Sequence, residues 1–169
     1  MFELNALVCR TMVESKLSPY PFAPFDPLMR GEDGAGSAWI RGLLKAGATP
    51  VTFGDVVLQK GGFRILSGDT IVLELARMLK PDRCVFALDV DGVYEESTRV
   101  IVPELTPARI RKMEVPRGED ATGGMNTKLS VASRLVASGA RACFVSGYRR
   151  NEFSKALRGE DFYGTTVRA

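Results

Sequence analysis

Apolar residues Phe2, Leu4, Leu7, Val8, Met12 and Val13 recur at helical spacing, so an amphipathic helix is expected over Phe2 to Leu17. The stretch Ser18 to Gly36 holds Pro19, Pro21, Pro24 and Pro27 and reads as a loop or arm with at most short edge strands. Ser37 is placed to N-cap a helix through Leu44 that Gly47 closes. Thr49 to Phe53 reads as a strand, and Val56–Leu58 with Phe63–Leu66 reads as a hairpin turning at Gly61-Gly62. A helix is expected from Asp69 to Lys80, stopped by Pro81. The unbroken apolar run Cys84 to Leu88 is the signature of a buried parallel strand.

Further on, Thr106-Pro107 is a cap and first-turn pair for a helix to about Met113. Met125 to Ala137 is helical, with Met125, Leu129, Ala132 and Val136 on one face. Ala142 to Val145 is a second buried strand, Asn151 caps a short helix ending at Gly159, and Gly164 to Arg168 is a last strand. Strands alternating with helices imply an α/β fold with a parallel or mixed sheet covered on both faces. One domain, residues 1–169, is the economical organisation.

Composition adds bounds rather than chemistry. A chain of 169 residues with 45% hydrophobic content supports a real core. The net charge of +3 is too mild, and the basic residues too scattered, to argue for a nucleic-acid partner. No apolar run approaches membrane-spanning length, and Glu3, Asn5 and Arg10 interrupt the start in a way no signal peptide does. Cys9, Cys84 and Cys143 lie in apolar surroundings at no metal-ligand spacing, which suits a reducing, cytoplasmic compartment. Histidine is absent, so this chain supplies no imidazole base or metal ligand.

Three runs carry candidate chemistry. Asp89-Val90-Asp91-Gly92-Val93-Tyr94 follows the buried strand directly, where ligands of open α/β sheets collect. It reads either as a nucleotide-contacting loop that steers phosphate-borne Mg²⁺ or as an Asx-type turn leaving the strand. Ser67-Gly68-Asp69 leads into a helix whose N–H groups favour an anion, although an Asp there is more often simply the N-cap. Thr122-Gly123-Gly124 is followed by Lys128 in the first helical turn, where the helix dipole disfavours a cation unless an anion compensates. The spacing is not that of a Walker A loop, since no glycine precedes the lysine and Leu129 follows it.

Taken in order, these runs resemble the C-terminal portion of the amino acid kinase superfamily, with the archaeal-type isopentenyl phosphate kinases the nearest branch. The likeness also takes in Gly47 to Asp55, similar to the branch's AG-x-x-P-V-x-x-GD segment, and a closing Gly164-Thr165-Thr166-Val167-Arg168. The resemblance implies a three-layer αβα sandwich around a mostly parallel sheet, and transfer of the γ-phosphate of ATP to a small acceptor. It implies that Asp69 organises catalytic lysines and that Lys128 contacts the ATP phosphates. Asp89, Asp91, Gly92, Val93 and Tyr94 would line the nucleotide site with Gly123 and Gly124 nearby. Gly54, Asp55, Ser67 and Gly68 would face the acceptor phosphate, and Mg²⁺ would be held mainly by ATP rather than by a protein metal site.

Members of the superfamily also carry a Lys-x-Gly-Gly-Ser strand and a second glycine-rich loop, ending in a histidine in this branch. Neither run is in this sequence. The expectation is therefore an N-terminally incomplete kinase domain whose sheet has exposed apolar edges, associating with itself or with a separate N-terminal segment. Isopentenyl phosphate is the expected acceptor, giving isopentenyl diphosphate. The alternatives are a non-catalytic nucleotide-binding or interaction domain, and another member of the superfamily such as a uridylate kinase-like enzyme.

Overall fold

The computed structural model describes residues 1–23, 35–59, 61–95, 97–113 and 124–169. It divides into two compact units, Met1–Ile71 and Val72–Ala169. Helices and strands are interspersed along the chain, and three of the five strand pairs among the described residues are parallel, in keeping with the α/β reading.

The first unit opens on α1, Phe2–Glu14, three residues shorter than the periodicity suggested. The helix stops because Lys16 takes a left-handed conformation (φ 61), which lets the Leu17 N–H reach back to the Met12 carbonyl at 2.9 Å. Its apolar positions do not form a core face within the unit. Phe2, Leu4, Leu7, Val8 and Val13 are exposed, and the single buried residue of α1 is Asn5.

Strand β1, Pro19–Pro21, pairs in parallel with β2, Thr49–Val51. The ladder tolerates three prolines, Pro19, Pro21 and Pro50, because flanking groups carry bonds: Thr49 N–H donates to Ser18 and Phe22 N–H donates to Val51. Helix α2 spans Ala35–Lys45, starting before Ser37. Ser37 therefore lies inside the first turn, accepting a hydrogen bond from Arg41 Nε at 3.3 Å, rather than at the N-cap. Gly47 (φ 78) closes this helix as expected.

Strands β3, Asp55–Gln59, and β4, Gly62–Leu66, form the predicted hairpin. Register places Val56 opposite Ile65 and Leu58 opposite Phe63, so the four share one face, and each is more than half exposed. Helix α3, Gly68–Leu79, follows. Its N-cap is Ser67, whose Oγ accepts from Thr70 N–H at 3.2 Å, so Asp69 is the second helical residue and not the cap. Lys80 (φ 50) and Pro81 end the helix.

In the second unit four strands run in the order β5-β7-β8-β6. They are β5, Arg83–Leu88; β6, Glu104–Leu105; β7, Arg141–Ser146; and β8, Gly164–Val167. Three helices accompany them: α4, Pro107–Ile110; α5, Gly124–Ala137; and α6, Glu152–Arg158. Thr106 caps α4 as predicted, accepting from Arg109 N–H at 3.2 Å. Asn151 stands at the N-cap of α6, but it is left-handed (φ 70) and makes no side-chain cap bond.

Alternation along the strands builds layers on both faces. Phe86, Leu88, Ala142 and Phe144 point to one side, where they pack with Leu129, Ala132 and Leu135 of α5. Phe86 and Phe144 are register partners, and their rings stack at 5.1 Å. The intervening residues Cys143 and Val145 face the other side and pack against Ala156 of α6. Among the described residues, no helix is long and apolar enough to cross a membrane.

Candidate functional site

Two glycine-bearing segments meet in the first unit. A side-chain carbon at Gly54 would stand 3.0 Å from the Leu66 carbonyl oxygen and 3.1 Å from the Gly68 nitrogen. The Gly54-Asp55 turn thus lies directly against Ser67-Gly68, bringing together residues that are distant in sequence but were assigned to one acceptor site. Space in front of Gly68 is open, since an added carbon there would meet nothing within 4 Å. Asp69 in the first turn of α3 is favourably placed against the helix dipole. Asp55 uses Oδ1 to accept from the Val56 N–H at 2.8 Å, which stiffens the entry to β3.

In the second unit the run Asp89 to Tyr94 leaves β5 at its carboxyl end. Gly92 is buried, and an added carbon would come within 2.9 Å of Thr165 Oγ1 and 3.2 Å of Ile101. The next residue uses that closeness: Val93 N–H donates to Thr165 Oγ1 at 2.9 Å, and both residues are buried. Val102 N–H donates to the Val93 carbonyl at 2.8 Å, and Tyr94 bridges to Ile101. The backbone is therefore pinned from two directions while Asp89 and Tyr94 stay exposed. Thr165→Val keeps the shape but leaves a buried N–H without an acceptor, so a loss of about 1–3 kcal/mol is expected. Urea unfolding with amide exchange at Val93 checks it; exchange as slow as in the parent chain would contradict the pinning.

Asp91 is held by a partner that no local signal in the chain names. Arg149, in the turn after β7, donates through Nε to Oδ1 at 2.5 Å and through a terminal nitrogen to Oδ2 at 2.8 Å. The same guanidinium lies 4.5 Å above the Tyr163 ring, and the Tyr163 N–H donates to Glu152 at 2.6 Å. The hydrogen bond from Arg149 keeps the Asp91 carboxyl below the usual aspartate range. A depressed carboxyl contributes its pairing above the unfolded value of about 3.9 and loses it as pH falls through the lower folded value. In Arg149→Ala, Asp91 is expected to titrate at the ordinary aspartate pH, read from its side-chain carbon shift; an unchanged titration would remove Arg149 as the cause.

Helix α5 packs on β7 and leads into it through a short turn, so the two run in opposite directions. Its 14 residues rise about 21 Å, and the six residues of β7 about 20 Å. The N-terminal end of α5 therefore lies toward the sheet edge at which β7 ends and the Asp89–Tyr94 loop begins. Gly124 starts the helix with φ 52, and Lys128 stands one turn in, half-buried. Gly123 falls outside the described residues. Arg149, Tyr163 and the acceptor role of Thr165 were not read from the sequence. The turn after β7 follows a buried apolar strand just as the Asp89 loop does, and that positional rule was the available signal.

The amino acid kinase family profile matches residues 3–146. The chain belongs to the amino acid kinase family. Within the family it is 26% identical to an isopentenyl phosphate kinase of Methanothermobacter thermautotrophicus over 98% of this chain and 66% of that protein. It is 35% identical to the Methanocaldococcus jannaschii isopentenyl phosphate kinase, over 72% of this chain and 46% of that one. A crystal structure of the Thermoplasma acidophilum isopentenyl phosphate kinase product complex superposes with a TM-score of 0.72 at 25% identity, covering 98% of this chain and 66% of that one. The chain thus spans roughly half to two thirds of the length of these relatives. The family membership, the α/β class and the likeness to isopentenyl phosphate kinases agree with the expectations drawn from the ordered runs.

Proposed function

We propose that this chain supplies the nucleotide-binding part, and one wall of the acceptor site, of an ATP-dependent small-molecule phosphate kinase acting on isopentenyl phosphate. The observation that carries this reading is that Gly54 and Gly92 both sit where no side chain fits, one against Ser67-Gly68 and one against Gly164-Thr165. Backbone held that closely fixes both loops beyond the ends of their strands, the position at which ligands of open α/β sheets collect. The similarity to isopentenyl phosphate kinases supplies the acceptor.

In this reading Asp89, Asp91, Gly92, Val93, Tyr94, Gly123 and Gly124 contact the nucleotide, and Gly54, Asp55, Ser67 and Gly68 face the acceptor phosphate. Asp69 organises cationic groups, and Lys128 neutralises charge on the transferring phosphates. When bound, ATP supplies the phosphoryl group and carries Mg²⁺ on its phosphates. Among the described residues no three His, Cys, Asp or Glu side chains gather into a metal site, and Asp91 is engaged by Arg149.

Calorimetric titration with MgATP, paired with phosphorus NMR of isopentenyl phosphate turnover, tests the assignment. Turnover is measured for the chain alone and with a relative's Lys-x-Gly-Gly-Ser segment supplied separately. ATP binding with transfer in either arrangement supports the assignment. No nucleotide binding, or binding without transfer in both arrangements, would sink it and leave a binding module at most.

A further inference from the structure

The second unit has a cavity of about 450 Å³ at the sheet edge opposite the Asp89–Tyr94 loop. It opens where β5 and β7 begin, on the face that carries α6. Arg83 and Arg141 are the first residues of those two strands, and both line it. Cys143 and Phe162 give it an apolar floor. The volume is within the range of small-molecule sites.

Its lining carries three arginines and three acids, but they are unevenly paired, since one acid is taken by Arg158 from outside the cavity. Arg168 is engaged by Glu104, and Glu160 by Arg158, so those four groups are matched. That leaves two guanidiniums facing one carboxylate, Asp161. Cys143 does not supply the missing anion, because burial pushes its thiol up and keeps it protonated despite the nearby Arg83 and Arg141.

The two arginines differ in what else they do. Arg83 donates to the Ala156 carbonyl at 3.2 Å and lies flat over Gly159, where any side-chain carbon would collide with its guanidinium. Part of its presence is therefore explained by capping the last turn of α6. That role fixes its orientation and leaves its other donors available. Arg141 has no such role: among the described residues its side chain makes no ion pair or hydrogen bond. A guanidinium beside an apolar floor, next to a second one already locked, is a fork suited to a planar or tetrahedral oxyanion.

We propose that this cavity binds a small organic anion, its carboxylate or phosphate oxygens bridging Arg83 and Arg141 and its apolar body lying on Phe162 and Cys143. The site is separate from the nucleotide loop and does not rest on the kinase reading. Its test is a nitrogen-15 NMR titration of the full chain with sodium citrate and, separately, sodium phosphate, at constant ionic strength. Saturable shifts are expected at the amides of Gly159 and Phe162, and whichever probe binds tighter identifies a carboxylate or a phosphate ligand. Arg141→Gln, at an exposed position, should weaken the tighter probe about tenfold or more, and Arg141→Lys should recover only part because the fork is lost. Absence of saturation at those amides for both probes, or equal affinity in Arg141→Gln, would overturn the proposal.

Discussion

Gly164→Ala is expected to cost about 3–5 kcal/mol, enough to unfold much of a domain of ordinary stability. Gly164 begins β8 opposite Val145, in the antiparallel pairing with β7. A side-chain carbon there would overlap the Phe144 carbonyl oxygen and stand 3.0 Å from the Phe162 ring. The ring can turn, but the carbonyl belongs to a strand buried between helices on both faces and has nowhere to retreat. Moving β8 away instead would carry off Thr165, and with it the acceptor that holds Val93. Urea unfolding followed by circular dichroism reads the loss. A shift under about 1 kcal/mol would mean that the β7–β8 contact is looser than described. Gly139→Ala is the matched control. That residue has φ 94 but no atom within 4 Å of an added carbon, so only backbone strain of about 1 kcal/mol is expected.

The largest expected effect on activity belongs to Lys128. The first turn of α5 holds no acid, and a cation near that end opposes the helix dipole. In the proposed reading an ATP phosphate reverses the sign of that interaction, so the lysine contributes most with nucleotide bound. Lys128→Ala is expected to lower kcat/KM for phosphoryl transfer at least 100-fold, as loss of one charge-stabilising group ordinarily does. ATP affinity should fall about tenfold, and Lys128→Arg should keep part of both because it retains the charge. Thermal melts should match the parent chain, which separates a lost contact from a lost fold. Unchanged transfer in Lys128→Ala would remove this residue from the chemistry.

Elements with a strong local signal were legible. β5 and β7 are runs of apolar residues with no room for another reading, and α5 shows its core face through Leu129, Ala132 and Val136. β6 was missed because two residues after Pro103 leave no periodicity to detect. The apolar positions of α1 gave the helix but not its surroundings, since spacing fixes a face and says nothing about what covers it. At the site, glycine runs and carboxylates could be picked out as candidates because their chemistry is unusual at a strand end. The Arg149–Asp91 pair joins residues 58 apart through two turns, and nothing in either local sequence names the other. Ser67 took the capping role from Asp69 by one hydrogen bond, a choice that composition leaves undecided.

The tight seat of Gly92 also bears on how this sequence can change over generations. Glycine is the one residue without a side-chain carbon, so every missense change in that codon, however conservative, pushes an atom into the space beside Thr165. Relief would need a second change at the far end of the chain, among the residues around Thr165. Single-step drift at this position is therefore closed, and the loop and the closing strand are bound to evolve as a pair.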